Sequence, residues 1–145
     1  MKTDHISVEI TLKAEFYDVD SMKVVYHGNY VRYYEQVRCV LLDRIGYNYN
    51  EMESSGYAWP VVGLNVKYMR PLLFSQEFRI KATLLEYENR IKIAYNIFNK
   101  DTGVLLNKGT TTQMAINMQS GESQLVSPSC FISLVEKYRE REGND

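Results

Sequence analysis

Residues 30–46 read YVRYYEQVRCVLLDRIG, and their spacing decides the architecture. Tyr30, Tyr33, Tyr34, Val37, Leu41 and Ile45 recur at offsets of three and four, with Arg32, Glu35, Gln36, Arg38 and Asp43 between them. That period lays one apolar stripe along a helix, which Gly46 can end in a left-handed cap. Ahead of it, residues 7–16 (SVEITLKAEF) alternate without a fault, Val8, Ile10, Leu12, Ala14 and Phe16 against Ser7, Glu9, Thr11, Lys13 and Glu15. Period two marks a strand with one buried and one wet face. Residues 17–26 break the alternation with Asp18, Asp20 and Ser21 and read as a loop.

Behind the helix, Asn48 and Glu51 have the spacing of a capping box, so a short second helix ends near Gly56. From Pro60 to Asn117 the chain is strand-like. Val62, Leu64, Val66 and Tyr68 alternate with polar and small residues until Pro71; Phe78, Ile80, Ala82 and Leu84 follow, then Ile91, Ile93, Tyr95 and Ile97. Lys100 to Gly103 compose a hairpin turn into a last long strand from Val104 to Asn117. Ser127 and Pro128 supply an N-cap and a first-turn proline for a final helix carrying Phe131, Leu134, Val135 and Tyr138, which frays in the charged tail EKYREREGND.

The order predicts an α+β fold: a long helix packed on a largely antiparallel sheet of about five strands, with a C-terminal helix. One domain spans residues 1–145. Lys67, Arg79 and Lys81 fall on the sheet's other face. A single helix layer on such a sheet is thin, so a homo-oligomer, dimer or tetramer, that extends the sheet or covers a face is expected.

Composition narrows the function. With 45% apolar and 24% charged residues the chain is of ordinary globular type, neither disordered nor fibrous. A formal net charge of -1 lacks the basic excess of a duplex binder, so no nucleic-acid partner is expected. The N-terminal residues have no continuous apolar core of a signal peptide, and no stretch approaches the length that spans a bilayer. Cys39 and Cys130 lie far apart with no metal-ligand spacing. A cytoplasmic protein free of membrane, metal and cofactor is the expectation.

Most site types fail on inspection: no glycine-rich phosphate loop, no paired His or Cys set, no Gly-x-Ser-x-Gly elbow. The loop before the long helix is the one place where polar residues cluster, with Asp18, Asp20, Tyr26, His27 and Asn29. The first N–H groups of a helix lack internal acceptors and carry the positive dipole end, so they suit a phosphate, a carboxylate or an oxyanion. A carboxylate beside them can serve as base or nucleophile. The same residues also read as turn formers, Asp18 and Asp20, and as helix caps, His27 or Asn29.

The stretch FYDVDSMKVVYHGNYVRYYEQVRCVLLDRIGY, residues 16–47, resembles the signature of the hotdog-fold acyl-CoA thioesterases of the 4-hydroxybenzoyl-CoA thioesterase family: an Asp-x-Asp loop, an apolar pair, an aromatic and a His, then an aromatic-rich helix. WPVVGLNVKYMRPLLF, residues 59–74, is similar to that family's second strand and Arg-Pro turn. The resemblance runs from about Ser7 to Asn117 and implies a hotdog fold and hydrolysis of acyl-CoA thioesters, with coenzyme A as part of the substrate rather than a cofactor. It puts the catalytic carboxylate on Asp20, which attacks the thioester carbon or activates water. It puts the oxyanion-binding N–H at His27. It places Tyr26, Asn29 and Tyr30 at substrate-binding positions; by its period the set Tyr30, Tyr33 and Tyr34 is chiefly core packing, with one ring lining an acyl tunnel. It also puts Arg90 and Lys92 near the coenzyme A phosphates, although a solvated strand edge explains them equally well. The family's site lies between subunits.

Glu35 matches the family's helix glutamate, yet Arg32 and Arg38 flank it at ion-pair spacing. Lys23 departs from the family, which commonly has glycine there. Either the loop takes an ordinary conformation, or Lys23 meets a phosphate or acidic group of the substrate. A distorted loop would suit an alternative, a non-catalytic module that binds acyl-CoA or acyl carrier protein.

Overall fold

Tyr34 sets the distance between the two layers of the fold. In the computed structural model, which describes residues 5–143, it lies buried on α1 (Tyr30–Ile45). Its ring stacks on Tyr95, with centroids 4.3 Å apart and planes 4° from parallel. Its hydroxyl hydrogen-bonds Asn107 Oδ1. Gly109 faces the same ring, and a Cβ there would stand 2.6 Å from Tyr34 Oη and 2.5 Å from the Asn65 carbonyl oxygen. No side chain fits that gap, so the close approach of helix and sheet depends on glycine at 109.

The sheet beneath α1 comprises β1 (Ser7–Lys13), β3 (Val61–Tyr68), β4 (Glu77–Glu86), β5 (Ile91–Asn99) and β6 (Leu105–Gln113). Their order is β1-β4-β5-β6-β3, and every neighbouring pair is antiparallel. Alternate residues face the helix: Phe78, Ile80 and Ala82 on β4, then Ile91, Ile93, Tyr95 and Ile97 on β5, all fully buried. Tyr33, Val37, Leu41 and Ile45 of α1 meet them. Each large apolar side chain removed from water contributes about 1.5–3 kcal/mol, so this layer dominates the stability.

Two of the three expected cappings are present, whereas Ser127 does not cap the last helix: its buried Oγ makes no hydrogen bond among the described residues, and the helix starts at Ser129. Gly46 ends α1 at φ 97°, and Asn48 Oδ1 accepts from the Glu51 N–H at 3.0 Å to open α2 (Tyr49–Ser55). α3 (Ser129–Gly143) buries Phe131 and Val135, and Phe131 packs on Tyr47 and Trp59.

Two boundaries differ from expectation. The first strand stops at Lys13 rather than Phe16, because Glu15 and Asp18 cap a 3-10 turn at Phe16–Asp18 and leave Phe16 78% exposed. The long last strand divides after Gln113: β7 (Ile116–Asn117) leaves the main sheet to pair with β2 (Tyr57–Ala58).

β3 occupies one edge of the sheet, and its helix-side face is open. Val62, Leu64 and Tyr68 are each half-exposed or more, since α1 lies over β4 and the opposite edge strand β1 and stops short of this one.

Candidate active site

Residues 18–26 form a small hairpin. Val19 and Val25 bridge antiparallel, the Asp20 N–H donates to the Val24 carbonyl and the Tyr26 N–H to the Asp18 carbonyl, both at 2.9 Å. Asp20 begins the turn: its carbonyl accepts the Lys23 N–H at 2.9 Å, and its Oδ1 accepts the Met22 N–H at 2.8 Å. The other limb is clipped to the chain before β4, through Val25 N–H to the Leu72 carbonyl at 2.8 Å and Phe74 N–H to the Lys23 carbonyl at 3.0 Å. Asp20 is exposed and its second oxygen, Oδ2, makes no bond among the described residues.

Lys23 has φ 66° and so takes the left-handed geometry that a glycine would supply. For a lysine this backbone costs about 1–2 kcal/mol. The side chain is exposed.

Beyond the hairpin, His27–Asn29 makes a 3-10 turn that runs directly into α1. The expectation that His27 or Asn29 caps the helix is not met. Asn29 has helical backbone angles and makes no cap hydrogen bond; its Nδ2 instead donates to the Asp18 carbonyl at 2.8 Å, tying helix to hairpin. The N–H groups of His27 and Gly28 find no acceptor among the described residues and belong to an exposed turn. Asp20 lies two residues along one limb from the Asp18–Tyr26 pair, and His27 follows Tyr26. By strand spacing the carboxylate and these donors sit on the order of 10 Å apart or less.

The turn is held from two further sides. Tyr68 Oη donates to the His27 carbonyl at 2.9 Å, and the Tyr26 and His27 rings lie 4.3 Å apart. Tyr30 packs edge-on against Tyr68 and its Oη accepts the Leu72 N–H at 3.3 Å; burial raises its phenol above the ordinary value. A shallow cleft of about 230 Å³ opens here, lined by His27, Tyr30, Tyr68 and Arg70.

Asp18, read from sequence as a turn former, is buried and structural. Its Oδ2 accepts the Glu15 N–H at 2.9 Å, and Arg32 stands 3.6 Å from Oδ1. Tyr33 is raised well above the ordinary phenol range by burial first and by the nearby Asp18 carboxylate second. Arg32 is thereby directed to Asp18 instead of Glu35, and Glu35 makes no ion pair among the described residues.

Arg90 and Lys92 are not brought to this place within one chain. Arg90 pairs with Glu86 at 3.1 Å, and Lys92 stands opposite Glu86 and Thr112. That is the far end of β4 and β5 from the hairpin, roughly 30 Å along the sheet.

A second concavity gave no sequence signal, because its walls come from separate elements. It measures about 230 Å³ and lies between α1, α2, β2 with the following Trp59, and the end of β6. Leu42, Met52 and Trp59 form its apolar walls, with Arg38, Glu35 and Gln113 among its polar lining. Tyr68 and Gln113 were likewise missed; both alternate in strands as any core or surface residue does.

Comparison with known proteins bears on the family and the fold. Residues 14–133 match the Thioesterase-like superfamily. The putative acyl-CoA thioesterase YneP of Bacillus subtilis is 28% identical over 117 residues, which cover 80% of this chain and 83% of that protein. The solved DHNA-CoA thioesterase of Staphylococcus aureus superposes with a TM-score of 0.74 at 29% identity, over 81% of this chain and 78% of that one. A second S. aureus protein, solved in complex with CoA, gives a TM-score of 0.82 over 97% of this chain and 88% of its own; at 17% identity it speaks for the fold alone, and the fold is the expected hotdog.

Proposed function

The chain belongs to the Thioesterase-like superfamily, and from that premise we propose that it hydrolyses acyl-CoA thioesters to free acid and coenzyme A. The observation that carries the reading is the Asp20 hairpin set beside a helix start whose His27 and Gly28 N–H groups are unpaired. Asp20 acts as base or nucleophile on the thioester carbon, and the unpaired N–H groups hold the oxyanion that forms. A thiolate with a pKa near 8.5 leaves without a strong acid, which fits a site with no evident proton donor. The chemistry asks for no metal or cofactor beyond the coenzyme A of the substrate.

The working unit is two copies. β3 is an uncovered edge with an apolar inner face, and two such edges pair antiparallel about a twofold axis. That pairing sets the Tyr68 end of one β3, with the His27 turn its hydroxyl holds, beside the Val61 end of the other. The hairpin of one copy thus meets the Trp59 cavity of the second, and the partner's Arg90 and Lys92 come to the side from which coenzyme A phosphates approach. Whether two or four copies assemble follows from faces other than β3. No helix among the described residues is long and apolar enough to cross a membrane, and we place the protein in the cytoplasm. The alternative, a non-catalytic module that binds acyl-CoA or acyl carrier protein, predicts binding without turnover; the left-handed backbone of Lys23, which a glycine would also adopt, favours hydrolysis.

Thiol release from a panel of short, medium, long and aromatic acyl-CoAs tests the reading. The wild type is expected to turn over part of the panel and Asp20→Asn to lose at least about a hundredfold, in line with removal of a principal catalytic group. Binding of the whole panel without turnover would overturn it. Dilution below the dimer dissociation constant is expected to abolish activity.

A further inference from the structure

Tyr26, His27, Gly28 and Asn29 form one tight turn, closed by the Asn29 N–H donating to the Tyr26 carbonyl at 2.9 Å. Both of its ends are tied to a single acceptor: the Asp18 carbonyl takes the Tyr26 N–H at 2.9 Å and Asn29 Nδ2 at 2.8 Å. The peptide in the middle, His27 C=O with Gly28 N–H, makes no bond at its nitrogen end among the described residues. In a four-residue turn the central peptide has two orientations, in which carbonyl and N–H exchange sides, and the second requires a positive φ at the third residue. That residue is Gly28, for which a positive φ carries no steric penalty. The structure holds the first orientation: the turn is 3-10, and Gly28 does not take a positive φ. From the sheet, Tyr68 Oη reaches over and donates to the His27 carbonyl at 2.9 Å.

We propose that Tyr68 is a positioning residue that keeps the His27–Gly28 peptide from turning over and so decides where the Gly28 N–H points. The inference rests on the thioesterase reading above, in which that N–H receives the oxyanion. A trans peptide carries its N–H opposite its C=O, so a grip on the oxygen aims the nitrogen end. Tyr68 itself touches no reacting atom. Without the grip, glycine leaves both orientations open. In the flipped one a partly negative carbonyl oxygen stands where the donor stood, and it repels the oxyanion instead of holding it. The loss falls on kcat, because the negative oxygen develops only on the way over the barrier.

A double-mutant cycle on the acyl-CoA that the wild type hydrolyses fastest tests this. A hydrogen bond of this kind biases a two-state equilibrium by up to about tenfold, so Tyr68→Phe is expected to lower kcat about fivefold with KM within about twofold. Gly28→Ala penalises the flipped form through its Cβ, which also displaces the half-exposed Tyr26 ring, since Cε2 would stand 2.8 Å away. In the Gly28→Ala background that displacement is common to both proteins compared, and there Tyr68→Phe is expected to cost less than about twofold in kcat. An equal loss in both backgrounds, or no loss in either, overturns the proposal. NMR reads the same peptide without turnover. His27 is the only histidine followed by glycine, so isotope labels on histidine carbonyls and glycine nitrogens together isolate this peptide. Unflipped, the His27 and Gly28 amide protons lie close and give a mutual NOE; flipped, the Gly28 proton lies by His27 Hα. The wild type is expected to show the first contact and Tyr68→Phe to show both, and the first alone in Tyr68→Phe overturns the proposal. A wild type silent on every acyl-CoA overturns the thioesterase reading instead, and the NOE comparison still decides whether Tyr68 holds the peptide.

Discussion

β5 and β3 carry the same alternation of apolar residues and meet opposite fates. On β5, Ile91, Ile93, Tyr95 and Ile97 are fully buried beneath α1. On β3, Val62 is 58% exposed and Leu64 and Tyr68 50% each. The pattern itself is equal in both strands; position in the sheet separates them, one central and roofed by the helix, the other an edge beyond the helix's reach. Periodicity therefore shows that a face wants cover without telling which body supplies it. For β5 the cover is the chain's own α1. For β3 no element of the chain supplies it among the described residues, and the second copy proposed above would; the Tyr68 end of this strand holds the His27 turn next to the Asp20 hairpin.

This contrast can be broken most forcefully from the closed side. Gly109→Ala places a methyl against Tyr34 and the Asn65 carbonyl and is expected to cost about 3 kcal/mol or more, read as a lowered urea midpoint at unchanged slope. An unchanged midpoint would show that helix and sheet do not approach so closely. On the open side, Leu64→Lys is expected to leave stability within about 0.5 kcal/mol but to yield single copies in sedimentation, with turnover down about a hundredfold. A dimeric, active variant would refute the role given to β3.

Alkaline pH sharpens the same comparison. The Tyr33 phenol is raised in the folded chain above its unfolded value near 10, so its contribution is complete below pH 10 and is lost as pH climbs beyond it. Wild-type stability is expected to fall there by up to about 1.4 kcal/mol per pH unit for each such phenol. Tyr33→Phe is expected to lessen that slope by one phenol's share, and an identical slope counts against burial as its cause. The smallest effect belongs to Lys23→Gly. Relief of left-handed strain and the greater freedom of the unfolded glycine nearly cancel, leaving a gain of about 0.5 kcal/mol by thermal or urea unfolding. A loss of stability would mean that the Lys23 side chain itself is held.

The helices and central strands were legible in the sequence because each depends on near neighbours: the stripe of α1, Gly46 and Asn48 at their caps, the alternation of β4 and β5. The hairpin was legible as a cluster of polar residues, and the family likeness singled out Asp20 within it. Division of labour between the two aspartates was not, since Asp18 becomes structural only by meeting Glu15, Arg32 and Asn29 in space. The break after Gln113 was hidden for a similar reason. Strand propensity continues to Asn117, and only the presence of β2 draws the last residues away. Nor does anything in local pattern mark Gln113, whose character arises from the Trp59 carbonyl 54 residues earlier in the chain.

The bond from Tyr68 to the His27 carbonyl has one more effect. That carbonyl and the Gly28 N–H belong to a single peptide group, so a proton offered at the oxygen end draws charge from the nitrogen end. Tyr68 thus strengthens the Gly28 N–H as a donor, one of the two groups proposed above to hold the oxyanion. An edge residue half open to solvent is in this sense wired to the proposed oxyanion site through one resonance unit.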